Sequence, residues 1–145
     1  MNVRELMTAD PACCTADTPL QEVAKMMVEC DCGAIPVVDG EDSKKPVGMI
    51  TDRDITIRTV AEGRNPLDLT ASDAMTENVM SVTPETSLEE CCNLMEQHQI
   101  RRVAVVDKNG SCCGMIAQAD IAVNADGRKT AEVVQEVSRG AGASS

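Results

Sequence analysis

Eight cysteines, one histidine and a few placed charges are the residues of this chain best suited to chemistry. The cysteines fall as Cys13-Cys14, Cys30-x-Cys32, Cys91-Cys92 and Cys112-Cys113. None has the C-x-x-C spacing of a zinc knuckle. Neighbours in a strand face opposite ways, so an adjacent pair does not readily chelate one metal. The thiols are expected to be reduced, small apolar fillers in a cytosolic protein. Redox sensing and metal binding are the alternatives. His98 has no Ser or Cys motif around it, so no nucleophile-base pair is in view. At a helix end it reads as a partner of the helix dipole rather than a pH switch. No G-x-x-x-x-G-K-[ST] loop is present. Enzyme chemistry is not expected.

Charge and composition narrow the partners. The formal net charge is −11, which repels a nucleic-acid backbone. Two or three arginines can still hold one phosphate inside an acidic protein. Apolar residues make up 43% of the 145 residues, enough for a core. No apolar run approaches the roughly 18 to 20 residues of a membrane helix. No apolar stretch follows the opening residues, so a cytoplasmic location is expected and a membrane partner is not. The chain has no Phe, Trp or Tyr, so no ring can stack on a ligand base. Nine methionines and the branched aliphatics must fill the interior.

The elements that would position any site come in two copies. Met7-Thr8 returns as Met75-Thr76, an offset of 68. Thr15, Thr18, Leu20, Met27 and Val37-Val38-Asp39 have partners at the same offset. After a contraction to 66, Gly48-Met49-Ile50 matches Gly114-Met115-Ile116, and Asp54-Ile55 matches Asp120-Ile121. Such an ordered set marks a duplication.

Each copy reads as β-α-β-β-α. A short strand near 12–15, or 80–83, precedes a helix. Thr18 is the expected N-cap with Pro19 at the first helical position. Thr86 to Glu89 fits a capping box. Leu20, Val23, Ala24, Met27 and Val28 recur at helical spacing, as do Leu88, Cys91, Cys92 and Met95. A hairpin follows, 34–38 with 47–50 or 103–106 with 113–116, and then a second helix. One unit of roughly 55 residues is near the lower limit for a core of its own. The expected fold is therefore α+β, two repeats packed through their sheets with pseudo-twofold symmetry. The expected divisions are 1–65, 66–128, and a C-terminal helix with flexible tail at 129–145. Val133, Val134 and Val137 share one face of that helix.

The repeat resembles the CBS domain, and the tandem resembles the CBS pair, or Bateman module. The likeness rests on Met7-Thr8, Ile35-Pro36-Val37-Val38-Asp39 and Gly48-Met49-Ile50-Thr51-Asp52-Arg53-Asp54. In copy two it rests on Met75-Thr76, the run 100–107, and Gly114-Met115-Ile116-Ala117-Gln118-Ala119-Asp120. It covers roughly residues 3 to 125. The resemblance implies a non-catalytic sensor that binds an adenine nucleotide (AMP, ADP or ATP) or adenosylmethionine between the repeats. Asp54 and Asp120 would accept the ribose hydroxyls. Thr51, Arg53, Arg101 and Arg102 would meet phosphate, the last two in the cleft of Asp120, where Ala117 replaces the threonine. The base would lie against Pro11, Ala12, Cys13 and Ile35 in copy one, and against Val79, Met80, Ser81 and Val103 in copy two.

Other readings of the same residues stay open. Thr51, Asp52 and Asp54 are also the residue types of a helix cap. The arginines are also ordinary solvated surface residues. The whole module could be a structural dimerisation unit with empty clefts. The resemblance also implies a homodimer with four CBS units in a flat disc. The helical faces Leu20–Met27 and Leu88–Met95, expected to be partly uncovered, would form the contact.

Overall fold

A computed structural model describes residues 1–77 and 80–124 of the chain. Val79 and the face of Val133, Val134 and Val137 lie outside the described residues. The β-α-β-β-α order is present twice. In repeat one it runs β2 (Cys14–Thr15), α1 (Leu20–Cys30), β3 (Ala34–Val38), β4 (Pro46–Thr51) and α2 (Asp52–Ile55). In repeat two it runs β5 (Ser81–Val82), α4 (Leu88–His98), β6 (Arg102–Val106), β7 (Cys112–Ala117) and α5 (Gln118–Asn124). Each repeat is preceded by a lead-in. The first contains a 3-10 turn, Val3–Glu5, and β1 (Thr8–Ala9). The second contains a 3-10 turn, Pro66–Asp68, and α3 (Ala71–Ala74).

The helices are amphipathic, but their boundaries and faces differ from the sequence reading. Pro19, not Thr18, occupies the N-cap of α1. Thr18 Oγ1 instead accepts from the Thr15 amide at 3.0 Å, closing the turn between β2 and α1. In repeat two Thr86 makes the same turn bond to Thr83, and Ser87 caps α4 by accepting from the Glu90 amide. The cap therefore lies one residue later than the spacing predicts. Both helices stop in a left-handed residue, Asp31 (φ 51°) and Gln99 (φ 52°). The following amides return to Met27 and Met95.

Leu20, Val23 and Met27 of α1 are buried, and so are Leu88, Cys91 and Met95 of α4. These faces are covered within the chain, contrary to the expectation that they stay partly open. Ala24 is exposed, and Val28 is 81% exposed. The large apolar residues exposed among the described residues are Met1, Val28, Ile57, Val60, Leu67 and Val123.

The two sheets carry an exchange between the repeats. One sheet has the order β2-β3-β4, the other β1-β7-β6-β5. β1 belongs in chain order to repeat one but pairs antiparallel with β7, Thr8 opposite Met115. The second lead-in returns the favour through a bridge between Met49 and Thr76. The cores follow the same crossing. Val3 is fully buried among Val82, Leu88, Met95 and Val105 of repeat two. Ala71 and Ala74 are fully buried among Leu20, Val23, Val37 and Ile50 of repeat one.

Between the sheets, Val38, Ala104, Cys112 and Cys13 form a small apolar seam. Alternation explains the division of labour in β3: Ile35 and Val37 face the helical core, while Val38 faces the seam. Hydrogen bonds tie the hairpins across it, from the Cys112 amide to the Lys44 carbonyl at 2.7 Å and from the Ser111 hydroxyl to the Ser43 carbonyl.

Candidate functional site

A cleft of about 170 Å³ opens where the two repeats meet, lined by Met49, Thr51, Asp54, Thr76, Ile100, Arg101 and Arg102. Its first wall is the junction of β4 and α2. The chain leaves the strand at Thr51, whose hydroxyl accepts from the Asp54 amide at 3.0 Å. Asp54 Oδ2 accepts from the Thr51 amide, also at 3.0 Å. This reciprocal capping box fixes both side chains at the mouth of the cleft. It uses one carboxylate oxygen. The other, Oδ1, faces the Thr76 hydroxyl at 3.5 Å, the outer limit of a hydrogen bond. Capping and access to the cleft are thus compatible roles of the same carboxylate.

The second wall comes from repeat two. The left-handed turn at Gln99 ends α4, and Ile100, Arg101 and Arg102 after it line the cleft. The Arg101 carbonyl accepts from the Gln118 amide at 2.8 Å, which fixes the backbone of this lining residue. Two arginines therefore line the same cleft as one carboxylate and two hydroxyl-bearing residues. That combination suits a ligand with vicinal hydroxyls at one end and an anion at the other.

Several sequence expectations are redistributed. Arg101 and Arg102 line the cleft of Asp54, whereas the sequence order suggested a cleft shared with Asp120. The reason is the pseudo-twofold packing, which sets the segment before β6 against the end of β4. Arg53 is exposed, with its amide bonded to Asp52 Oδ1, and is absent from the lining. Ile35 and Val103 are 1% and 0% exposed within the helical cores, so their side chains cannot form a base wall. Ala12 packs against the core of repeat one and Cys13 against the seam; Pro11 and Met80 are half-buried. Ser81 lines a different groove, of about 370 Å³, beside Thr83, Glu90 and Asn93 on the flank of α4. Asp120 repeats the geometry of Asp54, its Oδ2 accepting from the Ala117 amide at 3.0 Å. His98 is exposed in the last turn of α4.

Sequence reasoning missed Met49, Thr76 and Ile100 as cleft residues. The repeated Met-Thr pair was itself the signal for Thr76. What it lacked was the knowledge that each lead-in crosses to the other sheet.

The thiols are all unpaired among the described residues. Burial pushes Cys14 and Cys91 up to about 11. At the seam, a hydrogen bond from the Cys112 side chain lowers Cys13, and the same contact holds Cys112 protonated. No group of three or more His, Cys, Asp or Glu side chains is placed to hold a metal among the described residues. Nor is any helix among them long and apolar enough to cross a membrane.

Comparison with known proteins matches two copies of the CBS domain, over residues 3–58 and 71–125. The chain is 42% identical over 123 residues to the CBS domain-containing protein YhcV of Bacillus subtilis, covering 85% of this chain and 84% of that one. It is 36% identical over 119 residues to hypoxic response protein 1 of Mycobacterium tuberculosis, covering 82% of this chain and 81% of the relative. A crystal structure of Hypoxic Response Protein I with two coordinated zinc ions superimposes with a TM-score of 0.74 at 35% identity, over 86% of this chain and 98% of that one. The CBS domain pair of protein MJ0100, in complex with 5′-methylthioadenosine and S-adenosyl-L-methionine, gives a TM-score of 0.73 at 25% identity. It covers 83% of this chain and 96% of that one.

Proposed function

Because the chain belongs to the CBS domain family and carries the domain twice, we propose that it is a non-catalytic sensor of an adenosyl ligand, bound between the repeats. The observation that carries this reading is the meeting of Thr51 and Asp54 from repeat one with Arg101 and Arg102 from repeat two in one cleft. Asp54 accepts the ribose hydroxyls, and the arginines meet phosphate in charge-assisted pairs. The cleft is smaller than the roughly 300 Å³ usual for a whole drug-sized ligand. Its walls therefore cover ribose and phosphate and leave the base to the adjoining second lead-in, which enters the cleft at Thr76. The MJ0100 pair with its two adenosyl ligands supports this class of ligand. AMP, ADP, ATP and adenosylmethionine remain the candidates. The eight unpaired thiols suit a reducing compartment, the cytoplasm.

Calorimetry with AMP tests the assignment. Asp54→Ala removes hydrogen bonds to a charged acceptor, about 1.5 to 3 kcal/mol, so affinity falls roughly ten- to 150-fold. Arg101→Ala weakens AMP far more than adenosine, which has no phosphate to lose. A chain that binds none of AMP, ATP, adenosylmethionine or methylthioadenosine is a scaffold instead, and the sensor reading is lost.

We further propose that two chains associate as a symmetric dimer through Val28, Ile57, Val60 and Val123, the exposed apolar residues of the helices and their extensions. Sedimentation at tens of micromolar should give a dimer, and Val28→Glu with Val60→Glu should give a monomer. A monomeric parent chain would refute the homodimer.

A further inference from the structure

Two of the cysteine doublets are divided between the cores and the seam. Cys14 is buried in the core of repeat one, while its neighbour Cys13 packs at the seam. Cys113 packs against the core of repeat two, while its neighbour Cys112 is buried at the seam. Adjacent side chains in extended backbone point to opposite faces, which accounts for the split. The two seam thiols come from different repeats, and their side chains are hydrogen-bonded to each other.

The backbone sets up this meeting. β1 runs antiparallel to β7 with Ala9 opposite Gly114, and the Asp10 amide then donates to the Cys113 carbonyl at 3.0 Å. The left-handed residue Asp10 (φ 48°) turns the chain, and Cys13 follows just before β2. From the other side, the Cys112 amide donates to the Lys44 carbonyl at 2.7 Å. Each sulfur also reaches a carbonyl two residues away, Cys13 that of Pro11 and Cys112 that of Gly114, both at 3.4 Å. At the positions related by the repeat stand Ser81 and Pro46, so the duplication supplies this thiol pair once.

The two thiols are not equivalent. The hydrogen bond from Cys112 lowers Cys13 below the ordinary thiol value, against the cost of burial and with help from the Lys44 charge. The same bond, together with burial, keeps Cys112 protonated. Burial raises Cys14, Cys32, Cys91, Cys92 and Cys113. Cys13 is half-buried, and Cys112 is 7% exposed. A partly exposed thiolate beside a protonated second thiol is the arrangement of an attacking and a resolving cysteine.

We propose that Cys13 and Cys112 form a peroxide-sensitive dithiol, which closes reversibly into a disulfide across the seam. The Cys13 sulfur attacks hydrogen peroxide. An S–O bond forms, the O–O bond breaks, and the second peroxide oxygen leaves with the thiol proton as water. The sulfenic acid then condenses with Cys112. The S–S bond forms, the S–O bond breaks, and the hydroxyl leaves with the Cys112 proton as a second water. The two sulfurs together lose two electrons, and the peroxide gains them. A dithiol reductant reverses the closure. In a reducing compartment such a bond is transient, which suits a signal rather than a structural staple. The closed form joins the two repeats covalently. This chemistry needs no adenosyl ligand, so it stands or falls apart from that reading.

Peroxide titration of the reduced full chain, followed by thiol counting and mass mapping without reductant, tests the pair. One equivalent of hydrogen peroxide should lower the free thiols from eight to six. The lost pair should be a Cys13–Cys112 cross-link within one chain, and dithiothreitol should restore all eight. In Cys112→Ala the sulfenic acid on Cys13 should persist and be trapped by dimedone. In Cys13→Ala the rate of thiol loss should fall at least tenfold, whereas Cys30→Ala should leave it within twofold. A first disulfide between Cys30 and Cys32, a first disulfide through Cys14 or Cys113, a bond between chains, or eight thiols surviving ten equivalents of peroxide would each overturn the proposal. These outcomes are read on the parent chain, so they decide the matter whether or not a variant folds.

Discussion

Asp54 spends one carboxylate oxygen on the Thr51 amide and turns the other toward Thr76 and the cleft. The capping role stiffens the residue that the ligand role needs, so the two readings that the sequence left open support each other. The buried thiols give a second argument at this scale. Cys14 and Cys91 keep their protons to about 11, against an ordinary value of 9.0, because burial penalises the thiolate. In the unfolded chain they ionise near the ordinary value. Their contribution to stability is thus complete below pH 9 and is lost as the pH rises through 11. The loss reaches about 1.4 kcal/mol per pH unit per thiol in that interval. Urea midpoints should therefore fall between pH 8.5 and pH 10.5, and the fall should shrink in Cys14→Ala and Cys91→Ala. A fall of the same size in both variants would assign the alkaline loss to other groups. The presence of buried small thiols was legible from composition. The particular contact of Cys13 with Cys112 was not, because it depends on how the sheets meet.

Gly48 and Gly114 show what the secondary elements demand of single positions. A Cβ at Gly48 would lie 2.8 Å from the Thr76 carbonyl oxygen and 3.1 Å from Met75 Sδ. At Gly114 it would lie 2.7 Å from Met7 Sδ and 3.1 Å from the Thr8 carbonyl. Each glycine lets the opposite lead-in cross close over its strand, a packing reason for the Gly-Met-Ile motif that needs no ligand. The sequence pattern announced the motif, and the duplication placed the strands and helices. It could not say which sheet a two-residue strand such as Thr8–Ala9 joins, since so short a segment carries no periodicity. The same limit hid the meeting of Arg101 and Arg102 with Asp54, which depends on how the repeats pack. Gly48→Ala should lower stability by about 1 to 3 kcal/mol, the usual cost of overpacking. Gly114→Ala should cost less, because the tightest contact is with a flexible methionine tip rather than a carbonyl. Gly48→Ala should also weaken AMP, since it displaces Thr76 from the cleft. Equal urea midpoints for the two variants would contradict this ordering.

At the scale of the whole molecule, the crossed lead-ins join two cores that chain order would keep apart. Val3 fills the core of repeat two, while Ala71 and Ala74 fill the core of repeat one. Neither half of the chain therefore contains all the residues of its own core, and a unit of this size has little apolar surface to spare. The two repeats should unfold as one. Cys14 and Cys91 report on this directly, because one lies in each core and both are buried. Thiol labelling in urea should expose the two cysteines at the same midpoint, coincident with the loss of circular dichroism. Val3→Ala removes buried methyl groups from the core of repeat two, about 1 to 3 kcal/mol. If the cores are coupled, it should advance the labelling of Cys14 as much as that of Cys91, although Val3 packs against only one of them. Early exposure of Cys91 with Cys14 still protected would show two independent domains, and the crossing would then be a contact without cooperativity.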